Sequence, residues 1–172
     1  MGVLNVTPDS FYDKGRFFDK KKAVKHAFDM ERDGADIIDV GGESTRPGAP
    51  DVSVDEELRR VLPVIRAISK KLKVALSIDT RKAKVADAAL KAGASIVNNV
   101  SALKGDPGMA GVVAKHRAGI ILMHMKGTPE DMQADPKYID VVKDIARSLK
   151  GSIALAKRAG IKDDKIIIDP GI

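Results

Sequence analysis

The sequence predicts an α/β fold with a parallel sheet, read as a (β/α)8 barrel present here to about six βα units, and three observations lead there. Short aliphatic runs of strand length alternate with longer amphipathic stretches. The hand-over from helix to strand keeps reusing a glycine, in "RDGADIIDVGG", "KAGASIVNNVS", "HRAGIILMHM" and "RAGIKDDKIIIDPG". Polar residues then gather where each aliphatic run stops, as they do when a barrel collects the C-terminal ends of its strands around one mouth. No G-x-G-x-x-G follows any strand, which leaves the dinucleotide-binding open sheet with little support. A length of 172 residues is short for a complete eight-stranded barrel.

Taken in order, "GVLNV" is the first strand, ending near Val6, and a helix is predicted over residues 20–33. "IIDV" is the second strand, ending near Val40, followed by "GGESTRPG" and a helix over 54–72. "KVALSID" forms the third strand to Asp79, with a helix over 83–91; "SIVN" forms the fourth to Asn98, with a helix over 109–116. "IILM" forms the fifth to Met123, a helix spans 139–159, and "IIID" closes the series at Asp169. In all four hand-overs the glycine is placed at the C-terminus of the preceding helix. No linker or low-complexity segment interrupts the chain, so residues 1–172 are read as one domain.

Composition narrows the function classes. The chain is 44% apolar, 31% charged and 3% aromatic, an ordinary globular mix that must pack on aliphatic side chains. The absence of cysteine removes disulfides and thiolate metal sites, and neither a membrane span nor a signal-peptide layout is present, so a cytosolic protein is expected. The net charge of +6 arises from 30 basic and 24 acidic residues, with many lysines on the solvated faces of predicted helices. Nucleic-acid and membrane partners are not expected; small anions such as phosphates suit the excess charge better.

The mouth would collect "NVTPDSF", "GGESTRPG", "SIDTRK", "NNVSA", "LMHMKGTP" and "IDPG". Turn chemistry alone explains any one of these, but not six in succession inside the last turns of buried strands. Asp39 reads either as a buried orienting carboxylate or as a strand residue near the rim. Gly41 and Gly42 permit a sharp turn or a close ligand approach. Thr45 and Arg46 offer a hydroxyl and a planar guanidinium suited to carboxylate or phosphate, on a loop stiffened by Pro47; the alternative for Arg46 is simple solvent exposure. Asp79, after "VALSI", requires donors if it is to stay charged in a dry setting, which suits a heterocycle carrying an N–H beside an amino group. Asp169 sits in an equivalent setting and Asn98 adds a donor and an acceptor. Together they describe a pocket for a flat, nitrogen-rich ring edge. Met123 reads as core or as ligand contact, and His116 and His124 lack a second histidine at zinc-ligand spacing. A hard cation such as Mg2+, held mainly by substrate phosphates and an Asn oxygen, remains open.

"LNVTPDSF", "IIDVGGESTRPGA", "SIDT", "LMHMKGTP" and "IIIDPG", in this order and spacing, resemble the dihydropteroate synthases. The resemblance runs through the whole chain. It implies a (β/α)8 barrel that joins 6-hydroxymethyl-7,8-dihydropterin diphosphate to p-aminobenzoate, giving 7,8-dihydropteroate and diphosphate with Mg2+ present, in a cytoplasmic homodimer. Carried over, Asn5 would hold the metal and diphosphate; Asp79, Asn98 and Asp169 would bind the pterin ring, with Met123 packing on it. Thr45, Arg46 and Pro47, with Phe11 and Asp13, would close over the leaving group and form the aminobenzoate slot. Asp79 and Arg46 would carry the catalysis, with Asp13 accepting the amine proton.

Three departures from the family pattern accompany the match. Asn98-Asn99 stands where the family usually has Asn-Asp, and Lys14 occupies a first loop that commonly carries a Gly pair. The chain ends at "IDPGI" where the family continues into Gly-Phe-Gly-Lys and later Lys, Arg and His positions. A C-terminally truncated chain is therefore expected, with open edges on its first and sixth strands, poorly stable and nearly inactive alone. Two alternatives accompany this reading: a pterin-binding methyltransferase, and a pterin-binding fragment without catalysis.

Overall fold

The computed structural model describes residues 1–7, 20–44, 51–125 and 138–171, together with the backbone of 12–13 and 17–18. Strand β1 (Gly2–Asn5) opens the fold and is followed by a small antiparallel hairpin, β2 (Tyr12–Asp13) with β3 (Phe17–Phe18). The sequence pattern gives no sign of this hairpin, because strands of two residues are too short to show alternation. Then come helix α1 (Lys20–Arg32), β4 (Ile37–Gly41), α2 (Val54–Ile68), β5 (Ala75–Asp79), α3 (Ala83–Lys91) and β6 (Ile96–Asn99). Helix α4 (Met109–His116), β7 (Gly119–Met123), α5 (Val141–Arg158) and β8 (Ile166–Asp169) complete the series.

Among the described residues six strands form one parallel sheet in the order β1, β4, β5, β6, β7, β8, leaving β1 and β8 at its edges. Paired residues of neighbouring strands face the same way, so the register sorts side chains into two faces. One face carries Leu4, Val40, Ile78, Val97 and Ile120 in a single row, all fully buried against the helices. Helix α2 meets that face with Val61, Val64, Ile65 and Ile68, each without exposed surface and each contributing about 1.5–3 kcal/mol through removal from water.

Helix α2 begins where Ser53 Oγ accepts the Glu56 N–H at 3.3 Å, with Asp55, Glu56 and Glu57 in its first turn. It ends at Ile68, before the expected residue 72, as the Leu72 and Lys71 amides both turn back to the Ile68 carbonyl. Three of the four hand-over glycines stand where expected: Gly34, Gly93 and Gly160 have φ of 101°, 114° and 91° just past α1, α3 and α5. In each, paired bonds close the helix, as with Gly34 N–H to Glu31 O and Ala35 N–H to Met30 O at 3.1 and 3.0 Å. The fourth expectation fails. After α4 it is Arg117 that turns left-handed, at φ 53°, with Arg117 and Ala118 amides closing on Ala114 and Val113. Gly119 is instead the first residue of β7, where a Cβ would lie 3.3 Å from Ile96 Cγ1.

No helix among the described residues is long and apolar enough to cross a membrane. Val3 on β1 and Ile167 and Ile168 on β8 are about half exposed, at 56%, 47% and 54%, which marks the two ends of the sheet as uncovered.

Candidate functional site

The second face of the sheet is where the polar strand ends meet. One register row reads Asn5, Gly41, Asp79, Asn98, Ile121, Ile167 from β1 to β8; the row below it contains Asp39 beside Ser77. Met123 and Asp169 pair with each other one step above, on β7 and β8. The predicted site residues Asn5, Asp79, Asn98, Met123 and Asp169 thus share one face at the C-terminal ends of their strands. Phe11, Thr45, Arg46 and Pro47 lie outside the described residues, and Asp13 is placed by its backbone in β2.

The two glycines after Asp39 have different reasons. A Cβ at Gly41 would sit 3.3 Å from Asn5 Oδ1 and 3.7 Å from Asp79 Oδ2, so its bare backbone leaves space between those two side chains. A Cβ at Gly42 would come within 2.7 Å of Val61, so this position is kept small by the close approach of α2.

Asp39 is an inward carboxylate, 3% exposed, and the register settles it on the same face as Asp79. Its Oδ2 accepts the Asn98 amide at 2.9 Å while its Oδ1 lacks a partner among the described residues. Burial raises its pKa, and the nearby Ser77 hydroxyl, which falls short of hydrogen-bond geometry, and the Asn98 amide pull it partly back. Asp79 takes no hydrogen bond from any described residue. Burial, reinforced by the charges of Asp39, Glu57 and Glu43 and opposed by Arg81, pushes its carboxyl up to about 8. That shift favours the protonated form of the unliganded group towards neutral pH. Asn98 spends one N–H on Asp39 and keeps its carbonyl oxygen for a ligand.

Asn99 faces the helix layer, fully buried. Its Nδ2 donates to the Thr80 carbonyl at 2.9 Å; its Oδ1 accepts the Leu103 N–H at 2.7 Å and the Ser101 hydroxyl at 3.1 Å. Here the amide supplies a donor that an ionised carboxylate lacks, and it secures the turn through Ala102 and Leu103, both at positive φ. Asp169 turns one oxygen on the Gly171 N–H at 2.8 Å, which fixes the turn after β8; its other oxygen is unengaged among the described residues. Met123 is half-buried on the inner face and stands outside the helix-side core, which favours the contact reading.

His116 and His124 each have a hydrogen-bonding partner. His124, 8% exposed, has its Nε2 3.1 Å from the Tyr138 hydroxyl, and His116 Nε2 lies 2.8 Å from Asp87 Oδ1 between α3 and α4. No cluster of three metal-ligating side chains occurs among the described residues. Asn5 offers one neutral oxygen at the exposed rim, a donor that fits a hard cation taking its remaining ligands from phosphate and water.

Sequence reasoning missed a series of linked ion pairs just past the end of β5. Lys82 Nζ lies 2.7 Å from Glu57 Oε2 and 3.0 Å from Glu43 Oε2, and Arg81 reaches Glu43 at 3.2 Å and Asp51 at 2.9 Å. A readable signal existed: Glu57 falls three residues after Val54 and four before Val61, on the apolar stripe of α2, where a lone charge needs a partner.

Residues 1–172 match the family described as Pterin binding enzyme. A dihydropteroate synthase of Bacillus subtilis is 52% identical over 172 residues, covering all of this chain and 58% of that protein. A crystal structure of dihydropteroate synthase from Clostridium difficile in the presence of pteroic acid superposes with a TM-score of 0.90 at 48% identity, over 99% of this chain and 63% of that one. The Xanthomonas albilineans dihydropteroate synthase with 4-aminobenzoic acid superposes with a TM-score of 0.89 at 46% identity, over 99% of this chain and 60% of that one. The chain spans about three fifths of the length of these relatives.

Proposed function

This chain belongs to the pterin-binding enzyme family, and from that premise we propose that it carries the pterin-binding face of a dihydropteroate synthase, joining 6-hydroxymethyl-7,8-dihydropterin diphosphate to p-aminobenzoate with release of diphosphate. The observation that carries the reading is Asp79: a carboxyl with no hydrogen-bond partner among the described residues, set on the shared inner face beside Asn98 and the gap over Gly41, its pKa raised by burial. A pterin edge presents a ring N–H and an amino group side by side. Those two donors supply what the isolated carboxylate lacks, and Asn98 and Asp169 offer further acceptors on the same face.

Departure of diphosphate leaves positive charge spread over the pterin ring. Asp79, with Asp39 behind it, stabilises that charge more than the neutral ring, which is binding of the transition state over the ground state. Met123 packs on the ring. Asn5 would hold a Mg2+ ion, which when bound offsets the charge of the diphosphate. Thr45, Arg46 and Pro47, with Phe11, serve the diphosphate and the aminobenzoate slot, and Asp13 accepts the proton of the attacking amine. A cytoplasmic homodimer belongs to the same reading.

Diphosphate release on mixing the pterin diphosphate, p-aminobenzoate and Mg2+ with the protein as its gene encodes it tests the proposal. Release at an enzymatic rate is expected, and Asp79→Asn should lower kcat/KM by about 10²-fold or more. A folded wild-type protein that binds the pterin but releases no diphosphate would overturn it.

A further inference from the structure

The segment from Glu43 to Val52 is gripped at its base. Glu43 Oε1 accepts the Val52 N–H at 3.0 Å, so one carboxylate joins the residues on either side of positions 45–50. The other oxygen of the same carboxylate meets Lys82 at 3.0 Å and Arg81 at 3.2 Å, two residues that directly follow Asp79 and Thr80 at the end of β5. Lys82 is held in turn by Glu57 Oε2 at 2.7 Å, and Glu57, on α2, is fully buried. Arg60, also on α2, donates to the Gly42 carbonyl at 2.8 Å. Despite burial, Glu43 is held below the usual carboxylate range by Val52, Lys82 and Arg81.

A buried pair of this kind is weak evidence for stability, since its desolvation penalty offsets much of its attraction; its better-attested use is to fix one arrangement out of several. Here the arrangement fixed is that of two neighbouring strand ends. The β5 end carries Asp79, and the segment based on Glu43 carries Thr45, Arg46 and Pro47. We propose that Lys82 is a positioning residue, which through Glu43 and Glu57 sets the Glu43–Val52 loop base against the Asp79 row, so that aminobenzoate recognition depends on it and pterin-ring binding does not. The substrate assignment rests on the function proposed above; the fixing of the loop base does not.

The test uses the protein as its gene encodes it, with the double variant Lys82→Met/Glu57→Gln, which removes the cation without leaving Glu57 charged and alone. Glu43→Gln serves as a second variant if circular dichroism shows the first to be unfolded. Amide exchange at Val52 should quicken by about tenfold or more in the variant while the amides of β5 and β6 keep their wild-type protection. The KM for p-aminobenzoate should rise by about tenfold or more, while the Kd for the pterin diphosphate holds or falls, because removing the Glu57 or Glu43 charge eases ionisation of Asp79. Unchanged exchange at Val52 would overturn the inference whatever the substrates, as would a pterin Kd that rises together with the aminobenzoate KM. A wild-type protein without diphosphate release, but with the predicted exchange change in the variant, would overturn the function and leave the positioning role standing.

Discussion

At Asp79 and Asn99 identical-looking strand-end chemistry serves opposite purposes. Asn99 is satisfied on every side by Thr80, Ser101 and Leu103, whereas Asp79 has a raised pKa and no hydrogen bond among the described residues. The first holds a turn; the second is poised for something that arrives. The sequence reveals that Asp79 follows an aliphatic run, but not that Asp39, Glu57 and Glu43 crowd it, because those neighbours come from two other elements. Their presence has a consequence for stability. The folded pKa of Asp79 is about 8 against an ordinary value of 3.8, so between those values the folded state retains a proton that the unfolded chain releases. Any such group favours folding below pH 4 and loses that advantage as pH rises through 8. Asp79→Asn removes the penalty. The variant should match the wild type in urea unfolding near pH 4 and exceed it by on the order of a few kcal/mol at pH 8 to 9. Equal stability at both pH values would show that Asp79 is ionised without cost.

Helix ends show how far element-level reading extends. Gly34, Gly93 and Gly160 were legible as helix stops because a glycine between an amphipathic stretch and an aliphatic run is the residue most often found in the left-handed turn that ends a helix. Arg117 was not, because Gly119 stands two residues away and offered the usual residue for the same turn. Exchanging the exposed Arg117 for Gly relieves a left-handed conformation that arginine adopts unwillingly. Thermal or urea unfolding of Arg117→Gly should show a gain of about 0.5–1 kcal/mol; a loss would mean that the arginine side chain holds the α4 end. The β2–β3 hairpin and the Glu43–Lys82–Glu57 linkage escaped for a related reason: each is made by contacts between segments rather than by a periodicity within one.

For the whole molecule, six parallel strands with alternating helices were legible from the repeated hand-over, and the shared row that assembles Asn5, Asp79 and Asn98 follows from that topology. Among the described residues the sheet leaves β1 and β8 at its edges, with Val3 and Ile167 on its inner face about half exposed. Everything functional depends on that face accepting a pterin ring at Asp79. Calorimetric titration of the pterin diphosphate into wild type and Asp79→Asn, in buffers of differing ionisation enthalpy, tests this most directly. The predicted result is binding by the wild type with release of close to one proton at pH 7, fading above pH 8, and loss of affinity by about 10²-fold in the variant. Equal affinity of the two proteins, with no proton released by either, would contradict it.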